Sequence, residues 1–519
     1  MSAKLLKSGI IVSSMTFISR VLGLIRDGVV AHIMGASASA DVFFFANKIP
    51  NFLRRLFAEG AFSQAFVPVL TEVHQQQSKQ QQLEFIARIS GTLGMIVFVL
   101  AIVGVIGSPV LAALFGTGWF IDYLNDQPAG EKYELASLML KITFPYIAFI
   151  SMVGVAGAVL NTLNKFAVAA FTPVLLNLTI IGCAVWMTPY LSEPAFALAW
   201  GVFIGGIVQL LFQLPFLWRA GCLVRPRWGW SDPNVSRVRK LMIPALFGVS
   251  VSQINLLLDT FIASFLVTGS ISWLYYSDRL LEFPLGLFGI AIATVILPTL
   301  SRDHVAKNTA NFAGNMDWAI RMVCVLGIPA AVGLFVLAEP ILTVIFERGA
   351  FTAETAYKAS LSLMAYSLGL LSFMLVKVLA PGFFSRQDTK TPVKFGIWCM
   401  AANMVFNLIL AFPFGYIGLA LATSLSATMN AALLYYALAK QGVYRISKDT
   451  FWFVIRVLIA ALCMALFVSF LPQLAWADMA ELERALALFK QIFMAGAFFV
   501  MTLLLMGIRP RHLKHANHG

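Results

Sequence analysis

Long apolar runs follow one another along this chain, divided by short polar stretches. A helix needs about 20 mainly apolar residues to cross the hydrocarbon core of a bilayer. Runs of that kind fall at 8–34, 40–71, 85–115, 134–160, 166–189, 195–218, 241–267, 271–301, 318–346, 355–385, 392–412, 415–439, 450–471 and 485–508. They are too long for barrel strands and lack the period-two alternation such strands carry. The pattern predicts an all-α polytopic membrane protein with about 14 transmembrane helices.

Composition agrees with that expectation. Apolar residues make up 60% of the 519 positions, charged residues 12%, and the mean hydropathy is +0.84. A soluble domain averages about 45–50% apolar and about 25% charged, so a soluble multidomain enzyme would lack the side chains to cover its surfaces. The formal charge of +13 would suggest a nucleic-acid partner only if the basic residues formed a solvent-exposed patch. They are instead sorted by loop. With the N-terminus inside, 22 of the 37 Lys and Arg fall in inner segments, six of them between 219 and 240. Only Lys132, Arg348, Lys358 and Arg484 fall in outer loops. That asymmetry predicts cytoplasmic termini and no nucleic-acid partner. The first run opens like a signal peptide, but Arg20, Arg26 and Asp27 interrupt its apolar core, so it is read as a retained span. Cys183, Cys222, Cys324, Cys399 and Cys463 are widely spaced and read as small buried hydrophobes.

A duplication shows in the motif spacing. Val159-Leu160 and Thr172-Pro173-Val174 recur as Val378-Leu379 and Thr391-Pro392-Val393, shifted by about 219 positions, and Pro68-Val69-Leu70 resembles Pro298-Thr299-Leu300. Two six-helix lobes in the same orientation imply a pseudo-two-fold axis along the membrane normal. The expected layout is an N-lobe over 1–220, a basic cytoplasmic linker over 221–240, a C-lobe over 241–440, and helices 13 and 14 with a cytoplasmic tail over 441–519.

The remaining basic residues are Arg20, Arg26, Lys48, Arg54, Arg55, Lys141, Arg279, Arg321, Lys377, Arg456 and Lys490, at span depth or near span ends. Those near span ends can snorkel to the headgroups. An Arg at a helix centre costs about 2.5–3.5 kcal/mol, so Arg20, Arg26, Arg54 and Arg279 are expected to face a wet cavity or anionic partners. Asp27, Asp41 and Glu59 are too few to neutralise the cations of the first two spans, while Asp278, Arg279 and Glu282 share one turn of the eighth. A net-positive cavity would draw an anion, and arginine suits phosphate through its planar fork. Gly23, Pro50, Gly60 and Pro284 interrupt the same helices, as backbone lining a cavity can. A second constellation, Asp259 with Asn403, Asn407 and Thr423, offers hard oxygens to a small cation, although amide hydrogen bonding between helices explains the same residues. Walker, His-Glu-x-x-His and nucleophile-elbow motifs are missing. No enzyme or cofactor is expected, and the work is left to Na+ or the membrane potential.

The stretches Ser19–Gly23 with Arg26-Asp27, Asp41 with Lys48–Asn51, Leu53–Pro68, Tyr275–Pro284 and Ala380–Asp388 resemble the MurJ (MviN) lipid II flippase family, in the multidrug/oligosaccharidyl-lipid/polysaccharide exporter superfamily. The resemblance implies translocation of the undecaprenyl-diphosphate-linked peptidoglycan precursor across the bacterial inner membrane, with lipid II, the bilayer and other cell-wall synthesis proteins as partners. It further implies a cationic cavity of Arg20, Arg26, Arg54 and Arg279. Asp41, Lys48, Arg55, Glu59, Asp278 and Glu282 would support it, and 450–508 would form a groove for the lipid tail. Asp259, Asn403, Asn407, Leu419 and Thr423 match a sodium site of some members. Two alternatives stand beside this: another exporter of the superfamily, carrying a drug or a different lipid-linked glycan, and a polyprenyl-phosphate-dependent membrane enzyme. The second needs acids grouped on one loop, whereas the outer acids here are scattered.

Overall fold

The computed structural model describes residues 3–55, 61–472, 474–476 and 479–509; the side chains of 3–13, 53–54, 61, 63–64, 244–245, 247–255, 290–291 and 294 lie outside that description. Among the described residues every regular element is helical. Two compact units divide the chain, Met1–Ile271 and Ser272–Gly519. The first holds α1 (Ala3–Met34), α2 (Ala38–Arg54), α3 (Ala61–Gln76), α4 (Lys79–Ile106), α5 (Ser108–Phe115), α6 (Thr117–Leu124), α7 (Glu131–Thr143), α8 (Tyr146–Thr162), α9 (Phe166–Met187), α10 (Pro194–Arg219) and α11 (Pro233–Ala263). The second follows with α12 (Ser270–Pro284), α13 (Ile290–Val305), α14 (Thr309–Val336), α15 (Ala338–Phe346), α16 (Ala353–Leu379), α17 (Pro381–Phe384), α18 (Lys390–Phe414), α19 (Tyr416–Lys440), α20 (Lys448–Ser469) and α21 (Glu481–Leu505).

Local chemistry sets many of these starts. Ser37, Ser78, Asp232, Thr352 and Ser447 accept hydrogen bonds from the free N–H groups of α2, α4, α11, α16 and α20, the usual work of an N-cap. Small residues let helices approach. A Cβ at Gly201 would lie 2.8 Å from the Ile180 backbone, joining α10 to α9, and one at Gly369 would lie 2.7 Å from Ser424, joining α16 to α19. Close backbone approach of this kind replaces the hydrophobic drive that lipid removes.

Ten described stretches are long and apolar enough to cross a membrane. Outside those ten fall α1, the α2–α3 pair, α11 and the α12–α13 pair, the four runs that carry Arg20 and Arg26, Asp41 to Arg55, Asp259, and Asp278 to Glu282. The duplication is plain in the helices. α4 and α14 both have 28 residues and are each followed after one residue by a short helix, at an offset of 230. α1 and α11 obey the same offset within one or two residues. The repeats do differ: α7 and α8 break at Pro145, where α16 runs on.

The expected lobe boundary at 221–240 and the compact units do not coincide. α11 begins the second repeat in sequence yet belongs to the first unit. It packs on α3, Arg237 at its start pairs with Glu72 at 2.8 Å, and Lys48 donates to Thr260 near its end at 3.0 Å.

Candidate functional site

α1 runs unbroken through Gly23, so a glycine break is not what presents its arginines. Asn177 of α9 presents one of them. Its Oδ1 accepts from Arg26 Nη1 at 3.1 Å, and its Nδ2 donates to the Ser19 carbonyl at 3.1 Å, about two turns earlier on α1. Arg26 Nε and Nη2 both donate to Asp27 Oδ1, at 3.0 and 2.7 Å, with side-chain exposures of 14% and 4%. Arg26 is thus a charge-compensated, oriented group. Arg20 differs, being exposed with no side-chain partner among the described residues. At about 1.5 Å per residue it stands some 25 Å from the start of α1, deep for an unpaired guanidinium.

Arg54 ends α2, and its side chain is outside the description, as is the whole of Glu59. Arg55, directly after α2, is exposed. Lys48 is tied to Thr260. Asp41, with a side chain 2% exposed, accepts from the Gly269 N–H at 2.7 Å and lies 3.9 Å from Lys132 Nζ. Lys132 in turn donates to Thr268 Oγ1 at 2.6 Å. Asp41 is therefore bound into a buried knot joining α2, α7 and the 268–269 turn beyond α11.

In the second unit, Arg279 Nη1 donates to Glu282 Oε2 at 3.0 Å, and its guanidinium stands 5.0 Å from the Tyr275 ring centroid. It keeps 35% of its side chain exposed, and Asp278 is exposed beside it. After Pro284 the backbone widens into a π-helical turn, Leu285–Gly289, a distortion frequent at functional positions.

The candidate cation residues of the second unit are hydrogen-bonded along their own helices. Asn407 Nδ2 donates to Asn403 Oδ1 at 3.0 Å within α18, and the Leu419 carbonyl accepts from Thr423 Oγ1 at 2.9 Å within α19. Asn403 Nδ2 is buried without a hydrogen-bond partner among the described residues. Asp259 belongs to the other unit.

An apolar cavity of about 330 Å³ opens among α14, α15, α20 and α21, lined by Pro329, Leu337, Ile341, Met464, Val468 and Ile492 among others. Both C-terminal helices are fixed beside it. Tyr444 Oη donates to Asp317 at 2.5 Å and Arg321 Nε to Thr450 at 2.7 Å at one end. At the other, Arg348 pairs with Glu481 at 3.1 Å and Arg484 with Glu347 at 3.7 Å.

Sequence reasoning found the charges but missed Asn177, Lys132, Thr260, Thr268 and Gly269, which hold them. The available signal for Asn177 was a lone amide inside an otherwise apolar span. Lys132 had been read as one more outer-loop base.

Two tandem helical repeats with charges set inside their helices define a duplicated, all-helical polytopic membrane protein. An inward-facing multidrug resistance MATE family transporter of the MOP superfamily shares the fold, with a TM-score of 0.67 at 12% identity over 83% of this chain and 97% of that one. The family described as lipid II flippase MurJ matches residues 30–506. A probable lipid II flippase MurJ of Vibrio cholerae is 62% identical over 99% of this chain and 98% of its own length. The lipid II flippase MurJ of Burkholderia cenocepacia is 40% identical over 88% and 87%. A solved lipid II flippase MurJ in an inward closed conformation matches with a TM-score of 0.79 and 28% identity over 96% and 98%. The chain belongs to the MurJ lipid II flippase family.

Proposed function

We propose that this protein moves lipid II, the undecaprenyl-diphosphate-linked peptidoglycan precursor, from the cytoplasmic to the periplasmic face of the bacterial inner membrane by alternating access. Family membership across nearly the full chain supports the substrate. The observation that carries the chemistry is the pair on α1: Arg20 exposed and free, Arg26 neutralised by Asp27 and steered by Asn177. A free guanidinium at membrane depth is costly in the empty protein, and a diphosphate relieves that cost by bidentate hydrogen bonding. Arg279, held by Glu282 with a third of its side chain open, is a second donor whose charge is only partly compensated. No covalent bond is made or broken. Substrate shifts the conformational equilibrium only through unequal affinity for the two states. The apolar cavity beside α20 and α21 suits the first part of a polyprenyl tail, leaving the rest in lipid.

The same reading places both termini in the cytoplasm. Support comes from the basic inner segments and from the structure's treatment of the four outer bases: Lys132, Arg348, Lys358 and Arg484 each have a carboxylate partner. An impermeant thiol reagent should label S231C only in opened cells, and N125C in intact spheroplasts. The work is drawn from a gradient or the membrane potential, and no step is routed through a bound cation.

The test is complementation of a flippase-depleted bacterium by Arg20→Ala, Arg54→Ala and Arg279→Ala proteins present at normal membrane levels. Growth should fail for each. Restored growth for all three would overturn the cationic mechanism.

A further inference from the structure

The segment that joins the two repeats, 220–232, is laid against the first half of α4. The Arg227 N–H donates to the Ala87 carbonyl at 2.8 Å, the Gly229 N–H to Thr92 Oγ1 at 2.9 Å, and Arg88 Nη1 to Asp232 at 2.8 Å. The approach is tight: a Cβ at Gly91 would fall 2.2 Å from the Arg227 carbonyl oxygen, and one at Gly229 2.5 Å from the Arg88 Cβ. The segment is therefore a fixed strap.

Its depth can be read from α4. That helix is rich in polar residues from Lys79 to Thr92, then apolar and laterally exposed from Met95, with Phe98, Val99, Val103 and Ile106 also exposed. At about 1.5 Å per residue, the strap's contacts at 87–92 lie roughly 5–12 Å on the water side of the hydrocarbon edge. The nearer part of that range is the headgroup layer, about 5–7 Å deep, and the rest is the water beside it.

Two exposed tryptophans stand on the strap. The rings of Trp228 and Trp230 are 6.0 Å apart and 7° from parallel, and the Arg239 guanidinium lies 4.0 Å from the Trp230 ring. Paired rings at this depth suit the interface, where an amphipathic ring is half in lipid. Arg219, Arg225, Arg227 and Lys240 are exposed, and none has a carboxylate partner among the described residues. The one acid between 219 and 240, Asp232, is taken by Arg88.

We propose that this strap binds the phosphate of an anionic phospholipid in the adjacent leaflet, with Trp228 and Trp230 seated at the glycerol level and Arg225, Arg227 and Lys240 supplying the charge. The inference is independent of the flippase reading. It needs only that α4 and α10 cross a bilayer.

Full-length protein in nanodiscs of phosphatidylcholine with increasing phosphatidylglycerol, extracted into detergent, gives the retained lipid by mass spectrometry. The parent protein should retain phosphatidylglycerol preferentially, less so as salt rises. R225Q/R227Q/K240Q should lose about fivefold of that preference per charge removed, and W228A/W230A should lower retention of both lipids. None of the three cations has a partner in the fold, so the charge variant should keep the parent's heat-denaturation midpoint in detergent. An unchanged lipid preference, or a lowered midpoint, would overturn the proposal. A third arm adds polyprenyl diphosphate to phosphatidylglycerol-loaded discs. Loss of phosphatidylglycerol from the parent but not from R225Q/R227Q/K240Q would assign the strap to the substrate's diphosphate and overturn the phospholipid assignment; no displacement supports it.

Discussion

Replacing Lys132 with methionine keeps the length of the side chain and removes its charge from the knot around Asp41. The two groups are 3.9 Å apart, with side chains 6% and 2% exposed. At an effective dielectric constant of about 20, charges at that distance attract by about 4 kcal/mol. Removing one member of a buried pair costs about 3–5 kcal/mol, because the survivor stays desolvated. The Gly269 N–H still serves Asp41 in the variant, which argues for the lower end of that range. Lys132→Met also gives up the hydrogen bond to Thr268 and the position 5.5 Å from the Trp119 ring. In D41N/K132M neither charge remains, so the double variant should be more stable than K132M alone despite carrying one more substitution. The assay is the fraction of monodisperse protein left after heating in detergent, run for the parent, both single variants and the double. The expected order is parent, then D41N/K132M, then K132M, with a coupling of at least about 1 kcal/mol between the sites. K132M behaving like the parent, or the double variant falling by the sum of the singles, would refute the buried pair as the reason this lysine is there.

Three further outcomes are expected. Asn177→Leu removes the acceptor for Arg26 and the donor to Ser19, at about 1–3 kcal/mol, and should abolish growth complementation while the protein still reaches the membrane; normal growth would show that Arg26 needs no steering. Thr391 donates to Asp388 through both its hydroxyl and its backbone N–H, holding that carboxyl below its ordinary value of 3.8. The contribution of these two hydrogen bonds, about 1 kcal/mol, is complete above the ordinary value and is lost as pH falls through the lower folded one. Parent and D388A should therefore differ by a constant amount above about pH 5 and converge only in strong acid, as followed by heat denaturation across pH. Gly496→Leu adds a side chain where nothing lies within 4 Å of the new Cβ, inside the 330 Å³ cavity. It should raise heat stability by about 1 kcal/mol, the gain of leucine over glycine inside a helix, while slowing translocation of a fluorescent polyprenyl-diphosphate glycan in liposomes, and parental transport would remove the cavity from the tail's path.

The legible part of this fold was whatever hydropathy and charge record one residue at a time. The fourteen runs correspond to helices, and the 230-residue offset hinted at by Pro68 and Pro298 recurs in α4 with α14 and α1 with α11. Breaks inside runs were less legible. The run 85–115 is α4 and α5 parted at Gly107, and 318–346 is α14 and α15 parted at Leu337. An apolar residue such as Leu337 gives a hydropathy reading no cue to end a helix. The membership of α11 was illegible for another reason. The basic linker marks where one repeat ends in sequence, but Glu72, Lys48 and the 268–269 turn decide where α11 packs, from partners up to 228 residues away. For the site, the cations were visible because an arginine inside an apolar run is anomalous, whereas Asn177 and Thr268 become informative only once the chain has brought them within 3.1 Å of a charge.

The basic residues divide by what the fold does with them. Each of the four expected in outer loops is met by a carboxylate, and two of these pairs, Arg348 with Glu481 and Arg484 with Glu347, cross between the α15–α16 turn and the start of α21. An unpaired base on that side would oppose the charge asymmetry that orients the chain, so neutralising it in place lets a stabilising contact and the topology coexist. On the inner side no such constraint acts, and Arg225 and Arg227 on the strap, with Arg219 and Lys240 on the helices that flank it, are left open among the described residues. At membrane depth a third treatment appears, with Arg26 compensated, Arg279 compensated in part and Arg20 free. Under the proposed function, that graded exposure suits an anion carrier. Full compensation would leave no affinity for a diphosphate, and no compensation would hold it too tightly to release, since only the difference in affinity between the two states drives transport.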